Sequence, residues 1–526
     1  MIYLILNQMS LYGPESPDWL QGRHDYKKTG KSAWRCNQPA ITNRLWHDKT
    51  SSDCFGAGGN LVVNVVMDIN NNNVNEVLGA GNYTCPFIDN AVRLRVYPAN
   101  SSNHLWELKW NGGATSADAN VDAFMAGAYT SVGRRLFSVD YRSPFFGTTR
   151  RYFTAVNLTS SSGSVIYQRQ DCQSDDICSS GLTVADVDNN GCPEIYRGVR
   201  NFAVAVNGCA NSYTEIWSVN LGNRVGIPAI GKIDNNPDWD VIYPVMNNLL
   251  YVRRASDGSA KFSFTLPSNF PDVYGLDDYS TLISLYDIDN DGLDEVFVRT
   301  STQLIALKYN GSSFNILWQQ NYISSSALAI GPILSNNQIG IAFRNNSSLS
   351  VVRASDGALI SNSGSSLCGA PTITDINGDG IWDVLISECG CGNPYGFSRT
   401  NNFSSPVWQA GGCAEEPPIS SDLIVAKYYL NPDNTGKLVI VEGDQSCDTN
   451  VWMCDGAELV TPISVDEVYY KDGIFYIENY KGKVMLYNIN GRLVYSGYMN
   501  EKLNLKTKPG IYFIKTESRS YKVIVN

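Results

Sequence analysis

A chain of 526 residues, 43% hydrophobic and only 17% charged, is globular rather than disordered, and it is long for one domain unless that domain is a repeat array or a propeller. Its net charge of −11 argues against a nucleic-acid partner. No apolar run approaches the length of a transmembrane helix, so no membrane span is expected.

Tyr and Gly are abundant, Asn is frequent, and few segments show helical periodicity, which together suit β-structure with many turns. Residues 1–13 open with the apolar run Met1–Asn7 and read as a signal-peptide remnant. Trp19–Gly30 reads as a loop leading into the first strand. Residues 14–462 then carry one recurring nine-residue spacing. It appears as Asp68, Asn70, Asn72, Asn73 and Glu76, and as Asp186, Asp188, Asn190, Gly191 and Glu194. It is fullest as Asp287, Asp289, Asp291, Gly292 and Glu295, and returns as Asp375, Asn377, Asp379, Gly380 and Asp383. A worn copy, Lys232, Asp234, Asn236, Pro237 and Asp240, has Lys in the first ligand position. Each acidic copy is followed at once by a short apolar run, such as Val296-Phe297-Val298.

Oxygen ligands at positions 1, 3, 5 and 9, with Gly or Asn at 6 to reverse the backbone, form a calcium loop in miniature. Any single copy also fits a polar turn, because Asp, Asn and Gly are the commonest turn residues. Carboxylates among the four ligands number four at 287, three at 186 and 375, and two at 68. Calcium affinity is expected to fall in that order, giving three to four sites. In the worn copy Lys232 is expected to place its own cation where the metal should sit.

A second marker recurs, a short strand centred on an aromatic: Leu45-Trp46, Leu105-Trp106, Ile166-Tyr167, Ile216-Trp217, Leu317-Trp318 and Val407-Trp408, with fainter members near Phe262-Phe264 and Leu359-Ile360. The stretches Leu249–Gly258 and Leu349–Gly357 are nearly identical and end in the same Ala-Ser-Asp-Gly turn. Counting degenerate units near 129, 332 and 430, loops recur at intervals of about 43 to 61 residues, the spacing of four-stranded propeller blades. The first marker precedes the first loop and the last unit has no clear marker. An eight-bladed β-propeller is therefore expected, with the N-terminal strand completing the last blade; seven blades is the alternative.

The D-x-[DN]-x-[DN]-G-x-x-[DE] loops followed by apolar strands resemble the FG-GAP/VCBS repeats of secreted propellers and of integrin α-subunits, over roughly residues 40–460. The resemblance implies calcium in the loops and a propeller fold. It leaves function open, since such propellers serve adhesion, carbohydrate binding and some polysaccharide lyases. The Asp-Gly turns with Trp also resemble quinoprotein dehydrogenase propellers, but the tryptophans show no regular docking repeat in sequence, which argues against a quinone.

Thirteen cysteines include the close spacings Cys172/Cys178, Cys192/Cys209, Cys389/Cys391/Cys413 and Cys447/Cys454, without a zinc or haem pattern. Disulfides in an oxidising compartment follow, with one cysteine left over. Sequons at Asn82, Asn100, Asn157, Asn310, Asn346 and Asn402 point the same way, to a secreted or cell-surface glycoprotein.

Residues 463–526 hold 10 Lys/Arg and 6 Asp/Glu, a net of +4 that leaves −15 for the rest. Their short alternating segments, with turns at Asn488-Ile-Asn-Gly-Arg and Lys508-Pro-Gly, suggest a small β-sandwich. This region resembles the C-terminal sorting domain of the bacterial type IX secretion route.

Catalytic signals are sparse. The three histidines, His24, His47 and His104, form no metal spacing, and there is no nucleophile elbow or phosphate loop. Glu415-Glu416 and Asp277-Asp278 are adjacent acids that an extended chain turns to opposite faces. The expected role is binding or structural, toward a carbohydrate or protein ligand at the cell surface. One rival is a self-assembling filament or surface-layer subunit joined through the basic C-terminal domain. The other is a lyase-type enzyme with a charged cleft at the propeller centre.

Overall fold

The computed structural model describes residues 25, 27–29, 31–36, 39–49, 63–85, 89–110, 116–144, 148–173, 178–271, 281–364, 366–389, 393–411, 423–430, 435–443, 448–459, 468–471, 474–488, 493–504, 510–515 and 520–525. Met1–Leu459 form one compact unit and Val460–Asn526 another.

The first unit is an eight-bladed β-propeller. Each blade is an antiparallel four-stranded sheet built outward from an innermost strand. These inner strands are Val63–Met67, Ser116–Thr130, Ser179–Ala185, Ala229–Gly231, Ile283–Tyr286, Ala329–Gly331, Leu367–Asp375 and Ile424–Leu430, for blades 1 to 8. Inner and second strands bury both faces against neighbouring blades, so Val296, Phe297 and Val298 are all fully buried. That two-sided burial is why these segments read as unbroken apolar runs instead of alternating ones. The acidic loops join the first strand of a blade to its second. The degenerate units fall at the same junction, as at the tight turn Ser131–Val132 of blade 2.

Blade 8 takes Ile424–Leu430, Thr435–Gly443 and Asp448–Leu459 from the end of the unit and its outermost strand, Trp46–Lys49, from the beginning. Trp46 lies opposite Val451 and Lys49 opposite Asp448. The ring is therefore closed by its N-terminal strand, and no blade is left with three strands.

The tryptophans are regular in space although not in sequence. The outer-strand indole of one blade donates to a backbone carbonyl of the next: Trp46 to Ala99 (2.9 Å), Trp106 to Thr159 (3.1 Å), Trp217 to Ala255 (2.9 Å) and Trp318 to Ala354 (2.7 Å). Trp408 of blade 7 donates likewise to Ala40, just ahead of the closing strand (2.9 Å). The sequence expectation of no docking repeat is thus corrected. Tyr, Phe or Leu substitutes at the intervening blades, which breaks the sequence period while the spatial one persists. The repeated Ser-Asp-Gly turn is the other half of this joint. Gly258 and Gly357 both hold φ +70°, and a Cβ there would lie 2.6 Å from the Trp217 ring and 2.7 Å from the Trp318 ring respectively. No other residue meets both demands.

The segment before the closing strand is not an outer loop. Lys27 O accepts from the Leu285 amide of blade 5 (2.8 Å), and Thr29 O from the Ile330 amide of blade 6 (2.8 Å). Lys31–Cys36 then pairs in parallel with the inner strand of blade 7, Lys31 opposite Ile373 and Arg35 opposite Asp375. Ser32 Oγ donates to Val425 O of blade 8 (2.8 Å), while Lys28 Nζ reaches Leu182 O of blade 3 (3.2 Å). These partners lie on the innermost strands of five blades, and Trp34–Cys36 also pairs with Ala457–Leu459 of blade 8, so the described part of this segment lies on the axial side of the ring. Asp25, Lys28, Thr29 and Ser32 are fully buried.

Disulfides join Cys172 to Cys178 and Cys192 to Cys209, as their spacing suggests. Cys389 and Cys454 pair instead with Cys368 and Cys36. In a ring the two ends of the chain share one sheet, so proximity in sequence misleads there. Cys391, Cys413 and Cys447 lie outside the described residues, as do His24, Asp277-Asp278 and Glu415-Glu416.

In the second unit, Val468–Lys471, Ile474–Asn488, Leu493–Asn504, Gly510–Lys515 and Ser520–Val525 form one five-stranded antiparallel sheet. A second layer, as a β-sandwich requires, is not among the described residues.

Replacing Gly357 by Ala should lower stability by about 2 kcal/mol, from left-handed strain plus the clash with Trp318. A denaturant titration of G357A checks this against Ala358→Gly, which leaves the joint intact and should cost less.

Candidate metal centres

The acidic loops share one backbone path. Positions 4 and 6 both take positive φ: Asn71 and Asn73, Asn189 and Gly191, Asn290 and Gly292, Gly378 and Gly380. This double reversal folds the loop over its first side chain. Asp186 Oδ1 accepts from the Asn190 amide (3.0 Å) and Oδ2 from Gly191 (2.8 Å); Asp287 repeats both bonds, with Asp291 (3.2 Å) and Gly292 (2.9 Å). Asp68 and Asp375 also hold the position-6 amide, each at 2.8 Å. The ninth residue closes the loop from the other side by accepting the second residue's amide: Glu76 from Ile69, Glu194 from Val187, Glu295 from Ile288 and Asp383 from Ile376, all within 3.1 Å.

Blade 3 fits a divalent cation best. One oxygen each from Asp186, Asp188 and Glu194 lies within 4.8 Å of the others. Asp186 and Glu194 are buried, and Asp188 is exposed at the rim. Burial, with the charges of Asp188 and Asp186 added, pushes Glu194 up to about 8. Among the described residues no ion pair offsets that carboxylate, the situation a bound cation relieves. The fifth-position Asn190 keeps its Oδ1 on the Cys192 amide (2.7 Å). The Cys192–Cys209 disulfide staples this loop to the turn after the third strand of its blade. Ser131 N of blade 2 also donates to Gly191 O (2.7 Å), so the loop is held from both sides.

Blade 7 is the next best. Burial pushes Asp383 up to about 7, against the lowering effect of the Ser398 hydroxyl and the Ile376 amide. Asp375 and Asp379 share the loop with it, with the Asn377 amide donating to Asp379 (3.1 Å). In blade 1 the Asn70 amide donates directly to Glu76 Oε1 (2.7 Å), so an amide serves where the others use charge. Burial still pushes Glu76 up to about 7. The fourth ligand there, Asn72, keeps its Oδ1 on the Val74 amide (2.8 Å).

Blade 5 carries the most carboxylates, and Asp287, Asp289 and Glu295 also converge within 4.8 Å. Yet Lys308 Nζ lies 2.5 Å from Asp289, 2.7 Å from Asp291 and 2.9 Å from Glu295. The adjacent Asp294 faces away from the loop centre. It is buried, bonds Lys27 Nζ of the axial segment (2.6 Å) and accepts the Lys232 amide (2.9 Å). In blade 4 the sequence expectation needs correction. Lys232 Nζ donates to Pro237 O and sits over the Trp239 ring, whereas the ammonium among the carboxylates is that of Lys261, on Asp240 and 3.0 Å from Asp234.

Sequence reasoning therefore found the loops and the Cys192/Cys209 spacing, and missed Lys308 and Lys261. A signal for Lys308 exists: it lies on the third strand, one step along from the Val296–Leu307 pair, and so faces the ninth loop residue.

No protein-family model matches the chain, and no curated protein sequence does. Among solved structures it is similar to BamB from Moraxella catarrhalis (9% identity, 78% of this chain and 98% of that one, TM-score 0.43). It is also similar to Sqt1 of Chaetomium thermophilum (14%, 77% and 98%, 0.43) and to the C-terminal WD40 domain of Sif2 (8%, 76% and 98%, 0.43). At this level the likeness carries no inference about activity. The chain's own topology defines its class, an eight-bladed β-propeller with acidic clusters that could hold a metal ion.

Asp186→Asn turns one acceptor for the loop amides into a donor, and should destabilise the protein by about 1–3 kcal/mol even in chelator. Denaturant midpoints of D186N and wild type in EDTA measure that.

Proposed function

We propose that the protein is a secreted, calcium-binding β-propeller of the FG-GAP/VCBS type, with a binding or adhesive role at the cell surface. The convergence of Asp186, Asp188 and Glu194 into a stapled loop carries this reading. Asp186, Asp188, Asn190 and Glu194 would hold one ion in blade 3. Asp375, Asn377, Asp379 and Asp383 would hold a second, and Asp68, Asn70, Asn72 and Glu76 a weaker third. Calcium there supplies charge compensation and fixes the loops, and it takes no part in a reaction.

Export is supported by the four disulfides among the described residues and by the exposed sequon residues Asn100, Asn310, Asn346 and Asn402. Among the described residues no helix is long and apolar enough to cross a membrane. A polar cleft of about 310 Å³ opens between blades 5 and 6, lined by Asn290, Asn336, Asn337, Gln338 and Arg353. Its amide and guanidinium donors suit the hydroxyls and carboxylates of a carbohydrate, or a polar protein loop. The lyase reading needs an open charged centre, and the packing of Lys27, Thr29 and Lys31–Cys36 against inner strands is less favourable to it.

Calcium at 100 times its dissociation constant should stabilise the fold by about 2.7 kcal/mol per site. Thermal unfolding with calcium and with EDTA, beside elemental analysis, tests this; no bound metal and no shift would overturn it. The charge division between propeller and C-terminal unit favours one second reading, self-association through the basic C-terminal unit. Oligomers that dissociate with salt on a sizing column would support it, and a monomer at every concentration would remove it.

A further inference from the structure

Lys308 and Lys261 sit where a metal would. An ammonium has three protons to donate, and Lys308 meets three carboxylates, those of Asp289, Asp291 and Glu295. Calcium would need the same oxygens at about 2.3–2.6 Å from one centre. The nitrogen already lies 2.5 to 2.9 Å from all three, so ammonium and metal exclude each other. Lys261 repeats the arrangement in blade 4 from a different strand, the outermost one, Ala260–Thr265. Two lysines reaching equivalent loops from different strands are two separate solutions to one electrostatic problem.

The residue facing the ninth loop position separates the blades. It is Pro98 opposite Glu76 in blade 1 and Asn207 opposite Glu194 in blade 3. In blade 7, Ser398 follows the Val384–Phe397 pair and so faces Asp383. Among the five acidic loops it is basic in blades 4 and 5 alone, where Arg254 faces Asp240 and Lys308 faces Glu295. Arg254 turns outward to Asp238 and Asp257, which leaves the blade 4 loop to Lys261. In blade 5 the ion pairs of Lys308 among the described residues are all with the loop, to Asp289, Asp291 and Glu295. Burial opposes its charge, but the hydrogen bonds to Asp289, Asp291 and Glu295 outweigh that and raise its affinity for the proton.

We propose that Lys308 and Lys261 are built-in cations that replace calcium in blades 5 and 4, so that the loop richest in carboxylates binds no metal. The ring then has two kinds of loop on one face, metal-dependent ones at 186, 375 and 68 and metal-independent ones at 232 and 287. This deepens the calcium reading and rests on it for the first group only.

Calcium titration of the full chain by calorimetry, with elemental analysis, tests the proposal in wild type, K308M, K308Q and E295Q. Wild type and E295Q should bind the same number of ions, and K308M and K308Q should each gain one. Two variants of similar length guard against one that fails to fold. In EDTA, K308M should melt below wild type, and calcium should restore it further than it raises wild type. Loss of an ion in E295Q, or no gain in either lysine variant, would overturn the proposal. If wild type binds no calcium while K308M binds one ion, the calcium reading of the other loops fails and the lysine inference stands.

Discussion

The pairing of Trp46–Lys49 with Asp448–Leu459 puts both ends of the propeller unit into one sheet, and the ring depends on that seam. Blades 1 to 7 bury their faces only because a complete eighth blade stands between blade 7 and blade 1. Three separate devices reinforce the closure. Trp46 docks on Ala99 of blade 1, Cys36 bonds to Cys454, and Lys31–Cys36 bridges blade 7 to the far half of Asp448–Leu459. A disulfide that spans 418 residues of sequence constrains the unfolded chain strongly, so covalent closure and hydrogen-bonded closure act on the same weak point.

Around the ring, one electrostatic problem is posed five times and answered differently. A loop that gathers acids and is closed by a buried ninth-position carboxylate concentrates negative charge away from water. Blade 1 lowers the charge by using Asn for two ligands and letting Asn70 donate to Glu76. Blades 4 and 5 bring in lysine, and in blades 3 and 7 burial leaves the ninth-position acids, Glu194 and Asp383, raised. The backbone is nearly constant through all of this. Position 6 holds positive φ in every loop except the worn one, where Pro237 cannot adopt it.

Much of this architecture was legible in the sequence because its signals are local. The nine-residue loops, the markers and the apolar runs sit within single blades, and counting them with ring closure gives eight. The pairings that were not legible join distant residues. Cys36 with Cys454, Lys28 with Leu182 and Lys27 with Asp294 become neighbours only once the ring exists. Lys308 was hidden for a milder reason. It lies 13 residues beyond Glu295, a cross-strand distance that depends on the length of the intervening turn. The tryptophan joint was missed because the period was sought in residue type, while the ring needs only a large side chain at each outer strand and an indole at some of them.

Residues 25–36 have a consequence for the order of events during folding. Their partners include the inner strands of blades 3, 5, 6, 7 and 8, and both Trp34–Cys36 and Trp46–Lys49 pair with the last strand of the unit. A chain that emerges from its N-terminus exposes this segment first and can bury it last. The wait lasts until residues near 459 are available, so the slow step is a closure of very long range in sequence. In that interval the inner strands of the finished blades surround an empty axis. A folding factor that recognises the unseated N-terminal strand would therefore act on nearly the whole length of synthesis, and the ring would count as complete only when its first residues come to rest inside it.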